Sequence, residues 1–155
     1  MQYASDRSPG LEGRVSDNGT RLFSSKRNPI AKHILILRAY SELIHFDRYL
    51  VRGDFAALYQ AVRTYPLAQT GIGPTAVDRI CHAVDIACIW YWKEVLCLQR
   101  SATTTCLLRS GGVSAEMVVG VQQMPFKAHA WVEVNGRVVN DKPYTRDMYM
   151  VLDIC

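Results

Sequence analysis

Apolar residues recur at three- and four-residue steps through "IAKHILILRAYSELIHFDRYLVRGDFAALYQAVRTY". Ile34, Leu37, Tyr40 and Ile44 mark one stripe; Leu58, Ala61, Val62 and Tyr65 mark a second. The spacing predicts two helices that part near Gly53-Asp54, with Asp54 as N-cap of the second and Pro66 as its stop. After the linker "AQTGIGP", Thr75 is expected to cap a helix over "AVDRICHAVDIACIWYWKEVL", whose Val77, Ile80, Val84, Ala87 and Cys88 share a stripe. A further helix is expected from Cys97 to Arg109, ending at Gly111-Gly112. There the period changes from near four to two. "VSAEMVVGV" reads as a strand, "QQMPF" as a connection, and "AHAWVEV" with "RVVND" as a hairpin.

Helices first and antiparallel strands after define an α+β layout with helices on one sheet face. Residues 1–28, rich in Ser, Asp, Asn, Gly and Arg and without any period, are expected to form a flexible tail. Residues 29–155 then form one domain, divided into a helical part over 29–75 and a core over 76–155. A chain of 155 residues is long enough to bury an independent core.

Composition narrows the function. The chain is 49% apolar and 21% charged, which are globular values. The net charge of +4 is spread along the sequence without a basic block, which argues against a nucleic-acid groove. No apolar run approaches the length of a membrane span. The five cysteines are odd in number and no apolar signal core opens the chain, so the expectation is a cytoplasmic protein with reduced thiols.

Each thiol then needs its own account. Cys81 and Cys88 lie on a helical stripe and Cys106 lies among leucines, all positions for buried, inert thiols. Cys155 is expected to fray. Cys97 opens a helix, where unpaired N–H groups and the helix dipole favour a thiolate. A cysteine at a helix N-terminus, followed by a sheet carrying His129 and then Asp141, is the layout of papain-like and transglutaminase-like enzymes. In these the thiolate attacks a carbonyl, the imidazole carries protons and the carboxylate fixes its tautomer.

The run "CLQRSATTTCLLRSGG…MVVGVQQMPFKAHAWVEVNGRVVND" resembles the transglutaminase-like leader peptidases of lasso-peptide biosynthesis. Their pattern is a Cys-Leu-x-Arg-(Ser/Ala) helix start, an (Ile/Val)-Gly-Val strand, Pro-Phe, His-Ala-Trp-Val-Glu-Val and a closing Asn-Asp. The likeness is dense over residues 97–141, thinner over the rest of 76–155, loose over the N-terminal helices and absent over the first 28. It implies Cys97 as nucleophile, His129 as proton carrier and Asp141 as orienting acid. It also implies a precursor peptide as substrate, a thioester intermediate, and a separate ATP-using synthetase that closes the freed core into a macrolactam. Many relatives carry a strand-containing leader-recognition domain in front. Nothing upstream of residue 76 reads as strands here, so that module is expected on a separate protein.

Two other functions stay open on the same residues: a transglutaminase or amide-forming acyltransferase, and a non-catalytic peptide-binding scaffold. Trp131, on the His129 face by strand parity, either lines the cleft or fills the core. Trp92, with Trp90 and Tyr91, precedes Cys97 and is a candidate for substrate contact or for the oxyanion donor. His33 and His45 read as surface histidines. Cys81, His82 and Cys88 lack a second ligand pair at finger spacing, so neither a metal nor another cofactor is expected.

The hairpin carries the most exposed expectation. Were Asn135-Gly136 a two-residue type I′ loop, Asp141 would face Ala130 and lie across the sheet from His129. A three-residue loop, Val134-Asn135-Gly136, with a bulge at left-handed Gly136, would instead set His129 directly opposite Asp141 and pair Glu133 with Arg137 on the surface. The triad requires the two side chains to meet, so the three-residue loop is the expectation.

Overall fold

The computed structural model describes residues 29–69 and 75–155. The expected tail over 1–28 and most of the "AQTGIGP" linker lie outside the described residues.

Two helices open the fold, α1 (Pro29–Arg52) and α2 (Phe55–Arg63). They part as the sequence indicates. Gly53 takes φ +70°, and the Asp54 side chain accepts the Ala57 N–H at 3.0 Å, satisfying one of the donors a helix start leaves unpaired. Helix α3 (Thr75–Ile89) includes Thr75 and stops seven residues short of the expected Leu96. The cause is aromatic. Tyr91 turns inward to 7% exposure, packs on Tyr40 of α1 and stacks on Trp92 at 4.1 Å, which bends the chain out of the helix.

Helix α4 (Cys97–Ser110) is the centre of the molecule. It shows no clean stripe because it is buried on every side: Ala102, Thr103, Thr104, Thr105, Cys106, Leu107 and Leu108 are all buried. Leu107 and Leu108 join Ala39, Leu43, Ile80 and Val84 of α1 and α3, while Ala102 and Cys106 join Phe46, Leu58 and Val62. The helix ends in a Schellman motif. Gly112 takes φ +78°, Val113 N–H bonds Leu108 C=O and Gly112 N–H bonds Arg109 C=O.

The sheet runs in the order β3-β2-β1-β4, all antiparallel, with β1 (Ala115–Gln122), β2 (Lys127–Val134), β3 (Arg137–Val138) and β4 (Met150–Ile154). Ala115, Met117 and Val132 give one face to the core around α4. Alternation puts His129, Trp131 and Glu133 on the other face. The segment after β3, with the short helix α5 (Thr145–Met148), covers that second face through Arg146 and Tyr149. No described helix is long and apolar enough to cross a membrane.

Three expectations are corrected here. The hairpin is the two-residue turn: Asn135 and Gly136 have φ of +52° and +72°, Val134 pairs with Arg137, and Glu133 pairs with Val138. Two successive left-handed residues give the type I′ twist that suits a tight hairpin, and an Asn-Gly pair supplies them at low cost. Glu133 therefore forms no surface pair with Arg137. It is 1% exposed and bonds Arg146 and the Trp131 indole N–H. Finally, Cys155 does not fray. It is 8% exposed, and its backbone N–H and C=O are both paired with Met117 beyond the end of β4, a strand without a period of two in its sequence.

Candidate active site

Cys97 is the first residue of α4, and three consecutive side chains hold its turn in place. Gln99 donates to Leu43 C=O of α1 at 2.8 Å, Arg100 bonds Asp85 of α3 at 2.6 Å, and Ser101 donates to Ala130 C=O of β2 at 2.9 Å. The helix start has no side-chain cap, because Leu96 stands at the N-cap position. Its first-turn N–H groups are thus left for other acceptors.

Strand β3 ends at Val138, so the outer edge of β2 near His129 and Ala130 has no strand beside it. Cys97 approaches this open edge. Its thiol lies within reach of the His129 side chain and the Ala130 N–H, both of which favour the thiolate. Ala130 thus turns both backbone groups toward α4, its N–H to Cys97 and its C=O to Ser101.

His129 Nε2 lies 2.5 Å from Asp141 Oδ2, which leaves Nδ1 for the thiol. The second Asp141 oxygen accepts the Lys142 N–H at 2.7 Å. The imidazole sits among rings, with centroids 5.2 Å from Tyr149 and 6.2 Å from Trp131. Both His129 and Asp141 keep about a quarter of their side chains in solvent, at 25% and 23%. The group is therefore accessible while its members are fixed.

The electrostatics follow from these contacts. The His129 hydrogen bond, helped by the Ala130 and Leu98 N–H groups, outweighs burial and lowers the Cys97 thiol below its ordinary value. The same bond to Cys97, with a smaller contribution from Asp141, raises His129 against the opposing effect of burial. Burial pushes Asp141 up, but the His129 bond and the Lys142 N–H together hold it low. The other thiols move the opposite way. Burial raises Cys81 to about 11 and Cys106 to about 12, and also raises Cys88 and Cys155. Cys97 alone among the five is shifted toward the thiolate.

Cys97, His129 and Asp141 are brought together as the sequence order suggested, by a different route. In the observed register Asp141 would face Ala130 if the ladder continued. It does not continue. Val139 N–H still bonds Val132 C=O, but the Val132 N–H goes to the Asn140 side-chain oxygen at 2.7 Å. The chain peels off the sheet there, freeing Asp141 from strand parity.

Trp131 is 0% exposed and offers no surface to a peptide; it backs His129 from within the core. Trp92 is 61% exposed and contacts Tyr91 and Tyr40. Sequence reasoning missed Ser101, Asn140, Tyr149 and Gly120. Ser101, Gly120 and Asn140 all fall within the Cys-Leu-x-Arg-Ser, Val-Gly-Val and Asn-Asp motifs, and Gly120 also gave a physical signal as a glycine inside a strand pattern. A Cβ there would lie 2.9 Å from Trp131 Cη2, 2.9 Å from the Met150 carbonyl oxygen and 3.0 Å from Tyr149 Cβ. Among the described residues no group of three or more His, Cys, Asp or Glu side chains is placed to hold a metal ion.

A thiol at a helix start, beside a strand-borne imidazole with its own carboxylate, is a constellation suited to acyl transfer through a covalent intermediate. Residues 42–153 match the Transglutaminase-like superfamily, and the chain belongs to that superfamily. A stretch of 56 residues, 36% of this chain, is 43% identical to the microcin J25-processing protein McjB of Escherichia coli. That stretch covers 27% of McjB, so the likeness spans about a quarter of the relative's length. No solved structure matches the chain.

Proposed function

We propose that this chain is a cysteine peptidase that removes the leader from a ribosomally made precursor of the lasso-peptide class. The observation that carries the reading is the contact chain Cys97–His129–Asp141 on a helix start and an open strand edge. The substrate class rests on the resemblance over residues 97–141 and on the likeness to a microcin-processing protein.

In this reading the Cys97 thiolate attacks the scissile carbonyl. First-turn N–H groups of α4 receive the developing oxyanion, as uncapped helix starts can. His129, held by Asp141, gives its proton to the departing amine, which becomes the new amino terminus of the core peptide. A water that gives up its proton to His129 then opens the thioester and releases the leader. A separate synthetase would use the freed amine to close the macrolactam. Trp92, exposed on the loop leading into α4, is assigned to peptide contact.

In this reading, leader recognition is assigned to a separate partner protein. Tethering the leader to such a partner would raise the local concentration of the scissile bond. The test is mass spectrometry of a precursor incubated with the protein, with and without the leader-binding module and with an added amine. Cleaved leader with a free carboxylate, formed faster with the module, is the expected product. An amine adduct as the main product would replace hydrolysis by acyl transfer, and equal rates without the module would move recognition onto this chain.

A further inference from the structure

A buried polar network joins the immediate neighbours of all three site residues. Asn140, next to Asp141, accepts the Val132 N–H at 2.7 Å and donates to Ser101 Oγ at 3.1 Å. Ser101, one helical turn after Cys97, donates to the C=O of Ala130, next to His129, at 2.9 Å. Ser101 is 1% exposed and Asn140 is 8% exposed. Their donors and acceptors match in sense: the hydroxyl gives its proton to the carbonyl and takes one from the amide. The Asn140 side-chain oxygen takes the Val132 N–H that a continued ladder would give to the Val139 carbonyl, so it both ends the ladder and replaces it.

We propose that Asn140, supported by Ser101, is a positioning residue that sets the spacing of thiol, imidazole and carboxylate. The amide is suited to this place because it offers an acceptor and a donor at once. An aspartate there would keep the Val132 bond, lose the donor to Ser101 and bring a second carboxylate beside Asp141. Loss of the amide side chain frees the chain before Asp141 and leaves the Val132 N–H unpaired. Asp141 and α4 then drift relative to His129, and a small misplacement at reacting groups costs rate far more than it costs stability.

This inference rests on the peptidase reading for the role of the site, but its test does not need a peptide substrate. Alkylation of Cys97 by iodoacetamide is followed across pH by peptide mapping in the wild-type protein, Asn140→Ala, Asn140→Asp and Ser101→Ala, alongside thermal melting. The expected result is a fall of about tenfold in the Cys97 alkylation rate near neutral pH for Asn140→Ala, with the pH midpoint moved toward that of an ordinary thiol. Ser101→Ala should move it the same way by less, and Asn140→Asp should not rescue it. A purely structural role would lower the melting temperature and leave the midpoint of the folded protein unchanged, which would overturn the proposal. If Asn140→Ala fails to fold, the Ser101→Ala profile decides it on the same criterion. A low wild-type midpoint without precursor cleavage would count against the peptidase reading alone.

Discussion

His129 Nε2 and Asp141 Oδ2 lie 2.5 Å apart, yet the two residues are not cross-strand neighbours. The carboxylate arrives from a segment that has already left the sheet. Its reach depends on the Asn140 side chain and the Lys142 N–H rather than on strand register.

That arrangement makes Asp141 replaceable without loss of the fold. Asp141→Asn should cut the rate of precursor cleavage by at least about 100-fold while the circular dichroism spectrum stays unchanged, because the imidazole loses its tautomer and its counter-charge. Steady-state kinetics beside a melting curve would show it; a rate near that of the wild type would remove Asp141 from the site.

Cys97→Ala should abolish cleavage with the melting temperature nearly unchanged, since the thiol is partly exposed. Cys106→Ala should do the reverse. Its side chain is fully buried, so its truncation should cost on the order of 1 kcal/mol in denaturant unfolding and leave activity in place.

The pH dependence has two limbs. Cys97 is lowered from 9.0, so thiolate persists as pH falls below that value and is lost only below the lowered one. His129 is raised from 6.5, so its proton persists above that value and is lost only as pH climbs past the raised one. Cleavage should therefore rise on an acid limb set by Cys97 and fall on an alkaline limb set by His129. In Asp141→Asn the alkaline limb should move down. A profile in kcat/KM that rises only near an ordinary thiol would contradict the Cys97–His129 pairing.

Arg146→Ala should be costly although Arg146 is half exposed. It leaves the Glu133 carboxylate, 1% exposed, with only the Trp131 indole as partner. A loss of about 2 kcal/mol is expected, less than for a fully buried pair because solvent screens the arginine. Thermal melting should show a drop of roughly 4–8 °C.

Gly120→Ala tests the packing behind the imidazole. The added methyl would meet Trp131, Tyr149 and the Met150 backbone at once, so strand β4 has to shift. Overpacking of this kind costs about 1–3 kcal/mol. Activity should fall further than stability, because Trp131 and Tyr149 both lie against His129. Unchanged kinetics would show that this packing does not govern the site.

The sequence made the helices legible where capping and stripes agreed, as at Asp54 and at Gly111-Gly112. It made Cys97 legible because a helix start is a chemical environment that one thiol of five occupies. It misled at "WYWKEV", where Tyr91 follows tertiary packing rather than the stripe of α3. It misled again at Asn135-Gly136, where the geometric rule was sound but assumed a ladder running to Asp141. Asn140 broke that assumption, and a side chain that substitutes for a backbone acceptor leaves no periodic trace. Strand β4 was hidden for a related reason: Met150, Leu152 and Ile154 are exposed along it, so apolar residues occupy both faces and the period of two disappears.

The order of the site residues along the chain has a consequence during synthesis. Cys97 leaves the ribosome first, but its imidazole follows thirty-two residues later, and Asp141 and Tyr149, which hold and back that imidazole, later still. Until they arrive the nascent thiol lacks its proton partner and behaves as an ordinary cysteine. If Cys97 is the nucleophile proposed here, reactivity is thereby withheld from an unfinished protein.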